Sequence, residues 1–171
     1  EEIYESLLML QHRGQDAAGM VVCEPSGKLN SRKSKGYVRD VFQQNHMSNL
    51  QGNFGIGHVR YPTAGGIGKE FAQPMYVNTP YGISLAHNGN LTNSKKLAAE
   101  LFHAERRHIN TDSDSEVLLN IFALELSKQE AVFPKPKDFF AAVEKTHLRI
   151  NGAYAVVALI TGYGIVAFRD P

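Results

Sequence analysis

Residues 153–161 read AYAVVALIT, an almost uninterrupted apolar run. A strand with one wet face alternates apolar and polar residues, whereas a strand that does not alternate is covered on both faces. The run turns at Gly162–Tyr163–Gly164 and continues as GIVAFRD (164–170), so the pair predicts a buried hairpin. A sheet covered on both sides needs one layer above it and another below. The chain is therefore expected to stack sheets on each other, with helices outside.

The order of the other segments narrows those layers. GMVVCEP (19–25), NFGIGHVRY (53–61), QPMYVNT (73–79) and GISLAHN (82–88) carry strand patterns, the last two around the turn signal Pro80–Tyr81–Gly82. Three helical patterns follow, at 94–107, 114–128 and 136–150. Ser113 with Glu116 three residues on predicts a capping box for the second. An amphipathic helix opens the chain, with Ile3, Leu7, Leu8 and Leu10 on or near one face and Gly14 as its stop. Strands in blocks and helices in blocks predict an α+β fold of antiparallel sheets, not alternating βαβ units. With 171 residues the chain suits one domain, 1–171. It opens in mid-pattern, so further residues before Glu1 are expected. KQEAVFPKP (128–136) is the candidate mobile surface connection.

Charge is nearly balanced, 18 Lys+Arg against 17 Asp+Glu, which argues against nucleic acid or a membrane surface as partner. The short clusters RKSK (32–35) and ERRH (105–108) read as solvated faces. No apolar run approaches the ~20 residues of a membrane span, and no secretory leader is visible. The one cysteine, Cys23, allows no intrachain disulfide and fits a reducing, cytoplasmic setting. The sequon NLT (90–92) is then a chance match.

Cys23 is the obvious nucleophile and a poor one. A reactive thiol needs a lowered pKa and a base. Cys23 closes an apolar strand beside Glu24, so it reads as an inert, half-buried residue. The seven histidines show no metal-ligand spacing. His58 and His87 alternate with apolar strand residues and read as hydrogen-bonded core histidines. Asn88–Gly89, in AHNGNLT (86–92), is the strongest short hairpin signal in the chain. Arg60 leaves its strand into the loop RYPTAGG (60–66), which runs on to Gln73. Its planar fork suits a carboxylate, and Gly65, Gly66 and Gly68 would let the loop close. Asp114 can serve a ligand or simply the first turn of its helix.

Four segments, LQHRGQDAAGM (10–20), GIGHVRYPTAGG (55–66), LAHNGNLTN (85–93) and HINTDSDSEVLLNIFALEL (108–126), together resemble the glutamine amidotransferase domain of the amidophosphoribosyltransferases. The resemblance covers essentially the whole chain. It implies a four-layer αββα sandwich of the N-terminal-nucleophile hydrolases, here incomplete at its N-terminus. It implies hydrolysis of glutamine to supply ammonia to phosphoribosyl diphosphate, the first step of purine synthesis. In such enzymes an N-terminal cysteine attacks the amide with its own α-amine as base. That cysteine strand is expected before the first helix and is absent here, so the chain alone is expected to be inactive. Asn88 and Gly89 would form the oxyanion hole. Arg60 would hold the glutamine α-carboxylate and Asp114 its α-ammonium, with Thr63 and Tyr61 on the closing loop. Arg13 and His87 would be supporting residues. The resemblance implies no cofactor or metal in this domain, magnesium in an absent phosphoribosyltransferase domain of the same protein, and a homo-oligomer. The alternatives are a nucleophile-free glutamine-binding or regulatory module, and another class II amidotransferase such as glucosamine-6-phosphate synthase.

Overall fold

The computed structural model describes residues 1–61, 68–129, 131 and 133–171. The chain runs through α1 (Glu2–Met9), β1 (Ala17–Cys23), β2 (Leu29–Lys35), α2 (Val38–Val41), α3 (Gln44–Met47), β3 (Phe54–Arg60), β4 (Met75–Val77) and β5 (Ile83–Leu91). It continues through α4 (Ser94–His103), α5 (Asp114–Ser127), α6 (Pro136–His147), β6 (Gly152–Ile160) and β7 (Gly164–Arg169). Single 3₁₀ turns lie at Gln11–Arg13 and Lys69–Phe71. The strands form two antiparallel sheets, ordered β2–β1–β3 and β4–β5–β6–β7.

Alternation in β1 divides its side chains between two layers. Ala18, Met20 and Val22 join Leu7 of α1 and Val38, Val41 and Phe42 in an outer core. Cys23 points the other way, into a thin seam with Ile56, Ala86 and Leu159. The seam puts the sheets face to face, and the second sheet is covered outside by α4, α5 and α6. The layers are helix, sheet, sheet, helix as expected, but the hairpin is not buried throughout: no residue of β7 is buried.

α5 is the central helix of the larger core. Every residue from Val117 to Leu126 is buried, because the helix lies between the sheet and its neighbours α4 and α6. A helix so enclosed is largely apolar, and its buried polar residues are bonded, Asn120 Nδ2 donating to Glu116 O and Arg149 Nη1 donating to Glu125 Oε1. Phe122, fully enclosed and 5.6 Å from the Phe168 ring, is its largest anchor, and truncation to Ala would cost about 3–5 kcal/mol.

Several local expectations are corrected. Asn88–Gly89 is not a turn: both residues lie inside β5, opposite Ala155 and Tyr154. The turn signal is overridden by cross-strand pairing with β6. The Ser113–Glu116 capping box does not form. Ser113 caps Ser115 N–H at 3.3 Å, while Glu116 accepts from Asn110 N–H, Thr111 N–H and the Thr111 hydroxyl. Gly14 does not stop α1 by a left-handed turn, since its φ is −168°. A Cβ there would lie 2.5 Å from the Arg60 carbonyl carbon, so the glycine permits the chain to pass against β3. Leu10 is exposed rather than on the buried face. RKSK forms most of β2; Lys33 and Lys35 are exposed as a solvated face requires, Arg32 and Ser34 are half-buried, and the Lys33 ammonium donates to Pro74 O at 3.0 Å. In 153–161 both faces are buried only near the end, at Ala158–Ile160, while Ala153 and Ala155 are exposed.

Candidate active site

Three elements bring their ends together: the end of β3, the middle of β5 and the start of α5. Arg60 closes β3 and is 5% exposed. The β1–β3 register sets Ala17 opposite Arg60, which brings Asp16 alongside. Asp16 N–H donates to Arg60 O at 3.0 Å, and Arg60 Nη1 donates to the Asp16 carboxylate. The guanidinium also lies over the Phe71 ring, 5.4 Å from its centroid. A flat cation stacked on a ring and paired on one edge is held in one orientation.

On β5, Asn88 and Gly89 are exposed while His87 is buried. Gly89 has φ +148°, and a Cβ there would lie 2.1 Å from Ala153 O. Only glycine fits this backbone against β6. At the start of α5, Asp114 Oδ2 accepts from Leu91 N–H at 2.9 Å, tying the helix to β5. His87 Nδ1 is 3.0 Å from Ser115 Oγ and 3.9 Å from Asp114 Oδ1. Burial pushes the His87 pKa down, against the pull of Asp114, and favours the neutral ring. Its Nε2 is buried with no hydrogen-bond partner among the described residues.

One cavity of about 780 Å³ collects these groups. Arg60, Asn88, Gly89 and Asp114 line it, and so do Tyr61, Arg13 and His87. That volume suits a small-molecule ligand. Thr63 lies outside the described residues. Cys23 takes no part: it is 1% exposed in the seam, and burial, then Glu24, pushes its thiol pKa up. It is more deeply buried than expected, and inert for that reason. Among the described residues no cluster of three His, Cys, Asp or Glu side chains could hold a metal ion.

Asp16, Phe71, Gln73 and Ser115 were missed as site residues. Asp16 stood inside the QHRGQDAAG motif and could have been suspected there. Gln73 was visible only as the end of a loop, because its partner is fourteen residues away.

A family profile described as the glutamine amidotransferase domain matches residues 37–143. The chain belongs to the glutamine amidotransferase domain family. This amidotransferase chain is 60% identical over its whole length to the amidophosphoribosyltransferase of Pseudomonas aeruginosa, of which it covers 34%. It is 52% identical over 99% of its length to that of Schizosaccharomyces pombe, covering 32% of it. Among solved structures it resembles one titled as the allosteric regulatory enzyme of purine biosynthesis, with TM-score 0.81 and 34% identity over 99% of this chain and 34% of that one. It also resembles glutamine phosphoribosylpyrophosphate amidotransferase from B. subtilis, with TM-score 0.79 and 32% identity over 98% of this chain and 34% of that one. The chain thus spans about a third of these relatives. The four-layer fold is that of the N-terminal-nucleophile hydrolases.

Proposed function

We propose that this domain hydrolyses the side-chain amide of glutamine, and that the longer protein delivers the ammonia to phosphoribosyl diphosphate, making phosphoribosylamine. The observation that carries the reading is the convergence of Arg60, Asp114 and Asn88–Gly89 on one cavity. An amino-acid head group carries one negative and one positive charge. Arg60 answers the α-carboxylate and Asp114 the α-ammonium, which leaves the side-chain amide to reach Asn88 and Gly89. The closing over the ligand that the resemblance implies is assigned to Tyr61 and Thr63, and the support of the walls to Arg13 and His87.

The nucleophile is a cysteine thiol that the resemblance places before α1, with its own α-amine as base. The thiol adds to the amide carbon, and its proton passes by way of the amine to the leaving nitrogen. Ammonia departs, and water then splits the thioester to give glutamate and the free thiol. The tetrahedral oxyanion of each step is met by the Asn88 side chain and the Gly89 N–H, each such donor worth about 3–4 kcal/mol. A buried, neutral His87 keeps further positive charge from competing with Arg60. Ammonia use, the phosphoribosyltransferase part with its magnesium, homo-oligomerisation and a cytoplasmic setting complete the proposal. Among the described residues no helix is long and apolar enough to cross a membrane.

The test uses the longer protein with its native residues before Glu1. Glutamine-dependent formation of phosphoribosylamine is expected, with loss on blocking the N-terminal cysteine and retention when Cys23→Ala is introduced. Glutamine binding without hydrolysis would favour a binding module instead.

A further inference from the structure

Gln73 is buried between the two sheets, at the head of the cavity wall. Its side-chain amide completes a backbone ladder. The His87 N–H donates to Gln73 Oε1 at 2.7 Å, and Gln73 Nε2 donates to His87 O at 3.1 Å. β4 pairs with β5 only from Ile83 to Leu85, so this amide takes over where the neighbouring strand ends. The first sheet fixes Gln73 from the other side. A Cβ on Gly19 would lie 2.0 Å from Gln73 O, and Lys33 donates to Pro74 O at 3.0 Å. Asn88 and Gly89 are the next two residues of β5.

We propose that Gln73 is the positioning residue of the Asn88–Gly89 pair. It transmits the location of the first sheet to β5 through two hydrogen bonds, and so sets how far the two donors reach into the cavity. This rests on the reading of Asn88 and Gly89 given above. Its consequence is kinetic: Gln73 touches neither end of the amino-acid head group, so its loss moves the donors and leaves the Arg60 contact in place. Oxyanion stabilisation depends steeply on donor placement.

In the full-length enzyme, Gln73→Met keeps volume and removes both bonds. The glutamine-dependent kcat is expected to fall about tenfold or more, with KM changed less than about twofold and ammonia-dependent synthesis retained. In an Asn88→Ala background, the same change is expected to lower kcat less than about twofold further, because its target is already gone. Gln73→Glu is the second variant, should Gln73→Met not fold. The carboxylate can still accept from His87 N–H but donates nothing to His87 O, whereas the protonated acid donates as the amide did. Its kcat relative to wild type is expected to rise as pH falls. The proposal is overturned if both variants keep wild-type kcat while Asn88→Ala loses it, in which case the oxyanion reading stands alone. It is equally overturned if the loss is undiminished in the Asn88→Ala background, or if both variants lose ammonia-dependent synthesis in parallel. If Asn88→Ala itself leaves kcat unchanged, the oxyanion reading falls and this inference falls with it.

Discussion

Asp16 and Arg60, forty-four residues apart in sequence, hold each other twice, through a side-chain ion pair and through the Asp16 N–H on the Arg60 carbonyl. Their side chains are 12% and 7% exposed, so the two charges meet in a largely buried setting. Removing one member of such a pair costs about 3–5 kcal/mol. Asp16→Ala is expected to lower the unfolding free energy by that order and to raise the glutamine KM, read by denaturant titration and steady-state kinetics. An unchanged KM would mean that Arg60 keeps its orientation without Asp16.

Binding and chemistry should separate at the cavity. Arg60 is assigned to a carboxylate whose charge is the same in substrate and transition state, so Arg60→Ala should raise KM chiefly. Asn88 is assigned to an oxygen that is charged only during reaction. Asn88→Ala should lower kcat about 10²–10³-fold with a smaller effect on KM. The full-length enzyme, assayed with glutamine and with external ammonia, gives both numbers. Equal loss of both activities would mark these as folding defects and remove their support for the site.

Gly89→Ala meets two obstacles at once, a φ of +148° and a carbonyl oxygen 2.1 Å from the new Cβ. Backbone strain alone costs about 1–3 kcal/mol. The variant should melt well below wild type, whereas Gly162→Ala, with open space around its Cβ and φ +82°, carries the φ penalty without the clash. Equal melting points for the two would show that β5 and β6 can move apart at Gly89.

Stability should fall in mild acid. Burial first, then the charges of His87 and Arg60, hold His58 down to about 4 from the ordinary 6.5, and its Nδ1 has no partner among the described residues. His87 is lowered by burial too. Between pH 6.5 and 4 the unfolded chain therefore binds protons that the folded chain refuses. The His58 contribution is fully present above pH 6.5 and is lost as pH falls toward 4, and His87 adds a loss of the same sign. Denaturant midpoints measured across that window should decline, and His58→Gln should flatten the decline. A slope unchanged by that substitution would assign the acid sensitivity to other groups.

Much of this protein was legible without coordinates. The unalternating run at 153–161 pointed to stacked sheets, although only Ala158–Ile160 is covered on both faces, and the helix periodicities at 94–107, 114–128 and 136–150 located α4, α5 and α6 to within a few residues. Both signals are local, since they report which side of an element meets water. The four family segments likewise singled out Arg60, Asn88, Gly89 and Asp114, and the tertiary structure brings those residues to one cavity.

Local signals failed where a distant partner competed. Asn88–Gly89 has the chemistry of a turn, yet β6 supplies a full ladder opposite it and draws it into β5. Glu116 has the position of a capping-box acid, but the 110–111 backbone offers it more donors. β2 was hidden because an edge strand rich in Lys, Arg and Ser has no apolar alternation.

The sequence by itself determined most of the longer strands and helices and their stacking, because φ/ψ preference and burial periodicity act over a few neighbouring residues, and the family resemblance singled out the site residues. Only the tertiary structure decided that Asp16 pairs with Arg60 and that Gln73 pairs with the His87 backbone. Those contacts depend on the register of one sheet and on how the two sheets stack, and neither is encoded in any segment alone.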